Sequence, residues 1–215
     1  MENKKCLLNA TSVEIVPNLF LRIPTVGEIL EDEDKYYGIV SSLTASPFQY
    51  MVQLDDMGID YTQITDYQLF MMLFPMYAKS DLSLLFSDLD TSDFGIYINQ
   101  EDNSQVIYSP NNNIIIDELI YNDLADTIRK INLFEKVKSK PGNESARKYL
   151  LEKERKKQKR NAKKPKEPYL EKLVIALVNT SEFPYNYETC MDLSIYKFNQ
   201  SFKQIQQKIT FDNTM

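Results

Sequence analysis

Residues 65–75 read TDYQLFMMLFP, and the fold turns on them. Thr65 stands three places ahead of Gln68, the spacing at which a helix N-cap and its third residue satisfy each other's backbone N–H groups. Leu69 to Phe74 follow without a polar residue. That run is far short of the ~20 apolar residues of a membrane span. A helix apolar on every side is buried on every side. The stretch therefore predicts a central core helix with the remaining elements wrapped around it, ended or kinked at Pro75.

Upstream, Val13 and Ile15, then Leu19, Leu21 and Ile23, alternate with other residues at period two, with a turn at Pro17-Asn18. This is strand patterning. Thr25 can cap a short helix through Leu30. The acids Glu31 to Asp34 open another helix, Lys35 to Ala45, where first-turn carboxylates suit the positive end of the helix dipole. Ser46-Pro47 starts a helix over Phe48 to Asp56, which Gly58 stops. Downstream, Ser80 is placed to cap a helix carrying Leu82, Leu85, Phe86 and Leu89. Residues 94–109 read as a β-hairpin with Phe94, Ile96 and Ile98 on one face, and Ile114 to Ile116 as a further strand. Asp117 caps a helix to about Phe134 with Ile120, Leu124, Ile128 and Ile131 on one side, and Pro141-Gly142 marks a boundary.

The totals narrow the function. A chain of 215 residues, 43% hydrophobic and 12% aromatic, holds one medium domain or a domain with a small helical annex. Histidine is absent, which removes the commonest general base, the commonest metal ligand and every Ser-His or Cys-His nucleophile. Five glycines form no phosphate-cradling loop. Cys6 and Cys190, far apart and outside any C-x-x-C, are expected as two reduced, packed thiols. The N-terminus lacks a signal peptide's apolar stretch, so the sequons at Asn9, Asn143, Asn179 and Asn199 are expected to be chance, and the protein soluble and intracellular. These absences predict a protein that is not an enzyme and takes no cofactor or metal.

Three motifs imitate chemistry. Asp93-Phe94-Gly95 spells the magnesium-binding tripeptide of kinases, without a glycine-rich loop, lysine-bearing strand or His-Arg-Asp beside it. A calcium loop counted from Asp88 would need Gly and Glu where Asp93 and Asn99 stand. Asp55, Asp56 and Asp60 could pose as paired carboxylates, yet acids with glycine at a helix end are ordinary turn chemistry, and general-acid work asks for a raised pKa.

Charge is the strongest physical feature. Lys136 to Lys166 hold fourteen bases and three acids, while the rest of the chain holds eleven and twenty-eight, for a net charge of −6. Lys156, Lys157, Lys159, Arg160, Lys163 and Lys164 could grip phosphates in a salt-dependent, sequence-blind way. Only Tyr149 is available there for stacking, where single-strand platforms interleave aromatics. The other readings are a solvated helix edged by Ala146, Leu150 and Leu151, or an arm docked on an acidic surface. Beyond Pro165 and Pro168, Leu170, Leu173, Val174, Leu177 and Val178 make a broad helical stripe. Ile195, Phe198, Phe202, Ile205 and Ile209 then repeat at three and four, an a/d seam suited to one partner helix. That helix belongs either to another protein or to this protein's own core.

From Arg147 onward the chain resembles the C-terminal part of small proteins of tailed bacteriophages of low-GC bacteria, especially tail assembly chaperones and neighbouring tail-gene products. A charged helix leads to the apolar Leu173 to Val178, then Tyr185 to Glu188 (YNYE), then Asp192 to Asn199 (DLSIYKFN) entering a last helix. Such proteins continue beyond the point where this chain stops, so a short member or a truncated form is expected. The resemblance implies non-enzymatic binding to tape-measure or tail-tube proteins during assembly, in the host cytoplasm or the virion.

The expected architecture is α+β: a helix-rich lobe with a small antiparallel sheet over 1–135, a basic connecting helix over 136–168 and a C-terminal helical hairpin over 169–215. The expected function is phage tail morphogenesis through the seam residues Ile195, Phe198, Phe202, Ile205 and Ile209. The alternative is a nucleic-acid-binding accessory protein using the basic segment; no membrane is involved.

Overall fold

A computed structural model describes residues 6–100, 102–137, 139, 141–163 and 168–212. The expected core helix is α4, Asp66–Tyr77, with Thr65 and Gln68 forming the reciprocal capping box. Its all-round apolarity has a geometric cause, because it is wedged between two hydrophobic clusters. Tyr67, Phe70, Met71 and Phe74 enter the main core. Leu69, Met72 and Leu73 face a smaller cluster on the other side. The aromatic rings are packed closely, Phe70 lying 4.6 Å from Tyr121 and 5.0 Å from Phe74. Pro75 neither ends nor breaks the helix, which runs on to Tyr77. The next amide keeps the ladder going, Ala78 donating to the Phe74 carbonyl at 2.8 Å.

The N-terminal hairpin is β1, Ser12–Val16, paired antiparallel with β2, Leu19–Arg22, in the register Val13↔Leu21. Asn18 takes the left-handed conformation its tight turn requires. Helix α1, Val26–Glu31, starts at a Thr25–Glu28 capping box. Helix α2, Glu33–Leu43, is capped by Asp32. A 3₁₀ turn, Pro47–Tyr50, then leads into α3, Met51–Asp56. Gly58, at φ +73°, carries the chain away from α3 in a conformation that suits glycine.

The short α5 spans Ser83–Phe86, and its first turn departs from the expected cap: Asp81, not Ser80, accepts from the Ser83 N–H. Ser80 instead turns back to the Tyr77 carbonyl. The second sheet has the order β3-β4-β5, from Gly95–Ile98, Gln105–Ser109 and Ile114–Ile116, all antiparallel. Phe94 is buried as expected, but Ile96 and Ile98 are not, being 50% and 65% exposed. The alternation is right; strand β3 simply overhangs the edge of the core. Helix α6, Glu118–Asn132, is capped by Asp117 and ends with Leu133 in the left-handed region.

The chain continues through α7, Glu144–Asn161; α8, Leu170–Val178; α9, Tyr187–Met191; and α10, Ile195–Asp212. The class is α+β as expected. The C-terminal part departs from a separate hairpin in two respects. The short α9 intervenes between α8 and α10. And Leu170, Val174, Leu177, Phe183, Cys190, Leu193, Ile195 and Phe198 belong to the same cluster as the N-terminal hairpin, α2 and α6. Backbone bonds stitch the two together: Val26 N–H donates to Leu193 O at 2.9 Å, and Ile195 N–H to Pro24 O at 2.8 Å. Thus, among the described residues, the N-terminal hairpin, α2 and α6 share one core with α8–α10. Among the described residues, no helix is long and apolar enough to cross a membrane.

Candidate interaction surfaces

The seam predicted for a partner is divided between the core and the surface. Ile195 and Phe198 are completely buried. The Phe198 ring meets Phe183 edge-on at 6.1 Å, and one residue further Asn199 donates to the Ile131 carbonyl of α6 at 3.2 Å. These two residues are therefore core positions, which corrects their assignment as partner contacts. Periodicity shows that a stripe is covered without showing by what. Phe202 and Ile205 are half-buried at the rim of the core. Ile209, 46% exposed, lies past it. The outer turns of α10 are braced from the side by Lys208, whose ammonium lies 3.3 Å from Glu182.

Beside Phe202 lies a groove of about 840 Å³, with Tyr37, Phe134 and Tyr169 on its other walls and Glu33 and Lys203 among its charged groups. Its geometry depends on Glu33. The first turn of α8 has no capping side chain of its own. The Glu33 carboxylate, on the first turn of α2, accepts the Tyr169 and Leu170 N–H groups at 2.6 and 2.8 Å. A carboxylate there satisfies orphan donors and the helix dipole together. The acidic cluster thus serves two helices, with Asp32 capping α2 and Glu33 capping α8 from α2. A sequence reading credits it with one, because the second partner is more than a hundred residues away.

The basic segment is docked along one edge. Leu151 is buried, with Leu150 beside it, in the cluster formed by α3 and the outer side of α4. The Arg155 guanidinium lies 2.7 Å from Asp55 and 2.6 Å from Asp56, and Arg147 lies 3.3 Å from Asp60. Two acids at the C-terminal end of α3 sit at the negative end of its dipole, and the arginine offsets both. The three aspartates that imitate a catalytic cluster are thus ion-pair partners. The Thr62 amide and hydroxyl, with Arg147 adding to them, hold the Asp60 carboxyl below its ordinary value. That is the reverse of the raised pKa that general-acid chemistry needs.

The other edge of α7 is open. Lys153, Lys156, Lys159, Arg160 and Lys163 are exposed and form no ion pair with a described residue. Lys157 pairs with Glu154 at 3.4 Å. Lys164 lies outside the described residues.

The remaining motifs have local structural roles. The Asp93 carboxylate accepts from the Ser109 hydroxyl at 2.8 Å and the Asn111 N–H at 2.8 Å, tying the start of β3 to the β4–β5 turn. Asp90, in the imitation calcium loop, accepts the Ser92 N–H. Asn143 caps α7. Both cysteines are free; Cys190 is packed as expected, but Cys6 is exposed.

The described residues thus present a half-covered amphipathic helix, an aromatic groove and a charged helical ridge on an α+β body. Residues 157–215, from the last five residues of α7 through α10, match the YomV second domain, a phage-derived family. No curated protein and no solved structure matches the chain.

Proposed function

We propose that this is a bacteriophage tail-morphogenesis protein that acts without catalysis, by binding tail or tape-measure proteins through the outer half of α10 and the adjoining groove. One observation carries the reading: the apolar stripe of α10 outruns the core. Phe202 and Ile205 sit half-buried at the groove and Ile209 continues the same spacing into solvent. A helix that only packed inside its own protein would have no use for that continuation. A partner helix laid along it would complete the seam. The match to a phage-derived family falls on this same segment and supports the phage setting, as does the resemblance to tail-gene products.

The test is co-expression with the tail-tube and tape-measure proteins of the same phage, followed by co-purification and a search for the chain in purified virions. The wild type should form a complex with a tail protein. The double variant Ile205→Asp, Ile209→Asp should lose it while keeping the wild-type circular dichroism spectrum. A protein that binds no tail protein, or a complex indifferent to the double variant, would overturn the proposal.

A second reading, a nucleic-acid-binding accessory protein, rests on the open edge of α7. Its exposed Lys156, Lys159, Arg160 and Lys163 have no acidic partner among the described residues.

A further inference from the structure

The edge of the second sheet is left in a state that suits one particular occupant. Strand β3 is an outer strand, paired among the described residues with β4 alone. Residues directly opposite in an antiparallel ladder alternate between those that exchange hydrogen bonds and those that do not. The Asn99 N–H donates to the Ser104 carbonyl at 2.8 Å, so residues 99, 97 and 95 turn their backbone groups toward β4. Ile96 and Ile98 therefore turn their N–H and C=O groups away from the sheet. The side chains of Ile96, Tyr97 and Ile98 are 50%, 43% and 65% exposed. The strand has no charge, proline or bulge, the devices that ordinarily keep an edge single.

We infer that β3 pairs with β3 of a second copy of this chain, antiparallel about a two-fold axis at Tyr97. The register follows from the alternation. With Tyr97 opposite its counterpart, each Ile96 faces the other copy's Ile98, and both present their free backbone groups, giving four hydrogen bonds. Any register displaced by one residue sets an outward-facing residue against an inward-facing one and loses them. On one face the two Tyr97 rings meet at the axis, extending the edge-on Tyr97–Tyr108 contact at 5.4 Å into a row of four tyrosines. On the other face Ile96 and Ile98 alternate across the junction. No like charges are brought opposite one another within the four residues of β3, although the chain as a whole carries −6. The area is small. Three exposed side chains per copy fall short of the ~1,200 Å² of a stable interface, so the dimer is weak and appears at high protein concentration.

Sedimentation equilibrium up to about 1 mM, the weak end of the affinity scale, should show a monomer–dimer equilibrium. Ile98→Pro removes an outward N–H without touching the β3–β4 ladder, and should abolish the dimer while leaving the circular dichroism unchanged. Ile98→Lys, which keeps the N–H, should do the same. The register is read by cross-linking in a Cys6→Ser background. Opposed residues of a non-hydrogen-bonded pair have Cα atoms ~4.5 Å apart, within disulfide reach. Tyr97→Cys should therefore oxidise to a covalent dimer and Ile96→Cys should not. A chain that stays monomeric throughout, a dimer that survives both Ile98 variants, or equal cross-linking at 96 and 97 would overturn the inference.

Discussion

Replacing Phe198 by alanine tests whether the C-terminal helices belong to the same folding unit as the rest. The ring is wholly excluded from solvent, it meets Phe183, and the cluster it belongs to draws on α6 as well as the C-terminal helices. A Phe→Ala substitution at such a position costs ~3–5 kcal/mol, part transfer and part cavity. In a chain of this size each kcal/mol lowers Tm by ~2–4 °C, so the melting point should fall by ~6–20 °C. The companion change Ile209→Ala removes a side chain that is already half in water, and should cost ~1 kcal/mol or less. The assay is thermal unfolding followed in the far ultraviolet, for helix, and in the near ultraviolet, where the tyrosines report. The most deeply buried of these, Tyr36 and Tyr121, lie in α2 and α6, outside the C-terminal segment. With one shared core, the tyrosine signal and the helix signal shift together in one transition. A Phe198→Ala protein that loses helix first while its tyrosine signal melts at the wild-type temperature would refute the reasoning, as would a loss below ~1 kcal/mol.

Two further outcomes follow from the tyrosines and the basic ridge. Burial pushes the Tyr67 and Tyr121 hydroxyls up to about 12, from an ordinary value near 10, and raises Tyr36 and Tyr37 further. The folded state thus favours the neutral phenols, so their contribution is intact below pH 10 and is lost as pH rises from about 10 toward 12. Tyrosinate absorbance in that window should rise cooperatively and coincide with the loss of circular dichroism; gradual ionisation of a still-folded protein would count against this burial. For nucleic acid, four or five open bases on α7 imply an affinity falling with a salt slope of about −4, or ~10²–10³-fold between 50 and 200 mM. Fluorescence anisotropy with DNA and RNA reads this directly. Changing Lys156, Lys157, Lys159, Arg160, Lys163 and Lys164 to Gln should remove whatever binding exists, and its absence even at low salt would leave α7 a protein-docking ridge.

Much of the architecture is legible along the chain because its signals are local. Capping boxes at Thr25 and Thr65, the Asp117 cap and the strand alternation near Leu21 and Ile116 are each written within a few residues. What escapes a reading of the sequence is long-range. Phe198 and Ile209 occupy equivalent places in one periodic stripe, and only the position of α6 decides that the first is core and the second surface. Glu33 looks like one more first-turn acid until α8 arrives to be capped by it. Ile96 has the alternation of an inward residue, but the core ends beneath it. Period reveals which residues share a face; where the neighbouring layer stops is a property of the packed whole.

The basic helix shows how a signal can be present and still be misread. By composition α7 resembles a solvated rod, since its lysines Lys148, Lys153, Lys156, Lys157 and Lys159 are all exposed. Its docked edge is Arg147, Leu151 and Arg155, set four residues apart and hence on one face of the helix. Arginine rather than lysine holds that edge for a physical reason. The planar guanidinium of Arg147 serves two acids at once, its Nε and Nη2 donating to Glu144 while Nη1 lies 3.3 Å from Asp60, whereas an ammonium acts as a point charge. The anchoring ends at Arg155, and the match to the phage-derived family begins two residues later. The matched segment thus includes the exposed Lys159 and Arg160 of α7 and Lys163 just beyond it, and from Tyr169, whose ring meets Tyr37, and Leu170 onward it packs against the shared core. The strong local charge therefore divides along the helix: Arg147 and Arg155 hold it to the protein's own acids, while Lys156, Lys159, Arg160 and Lys163 are exposed with no acidic partner among the described residues.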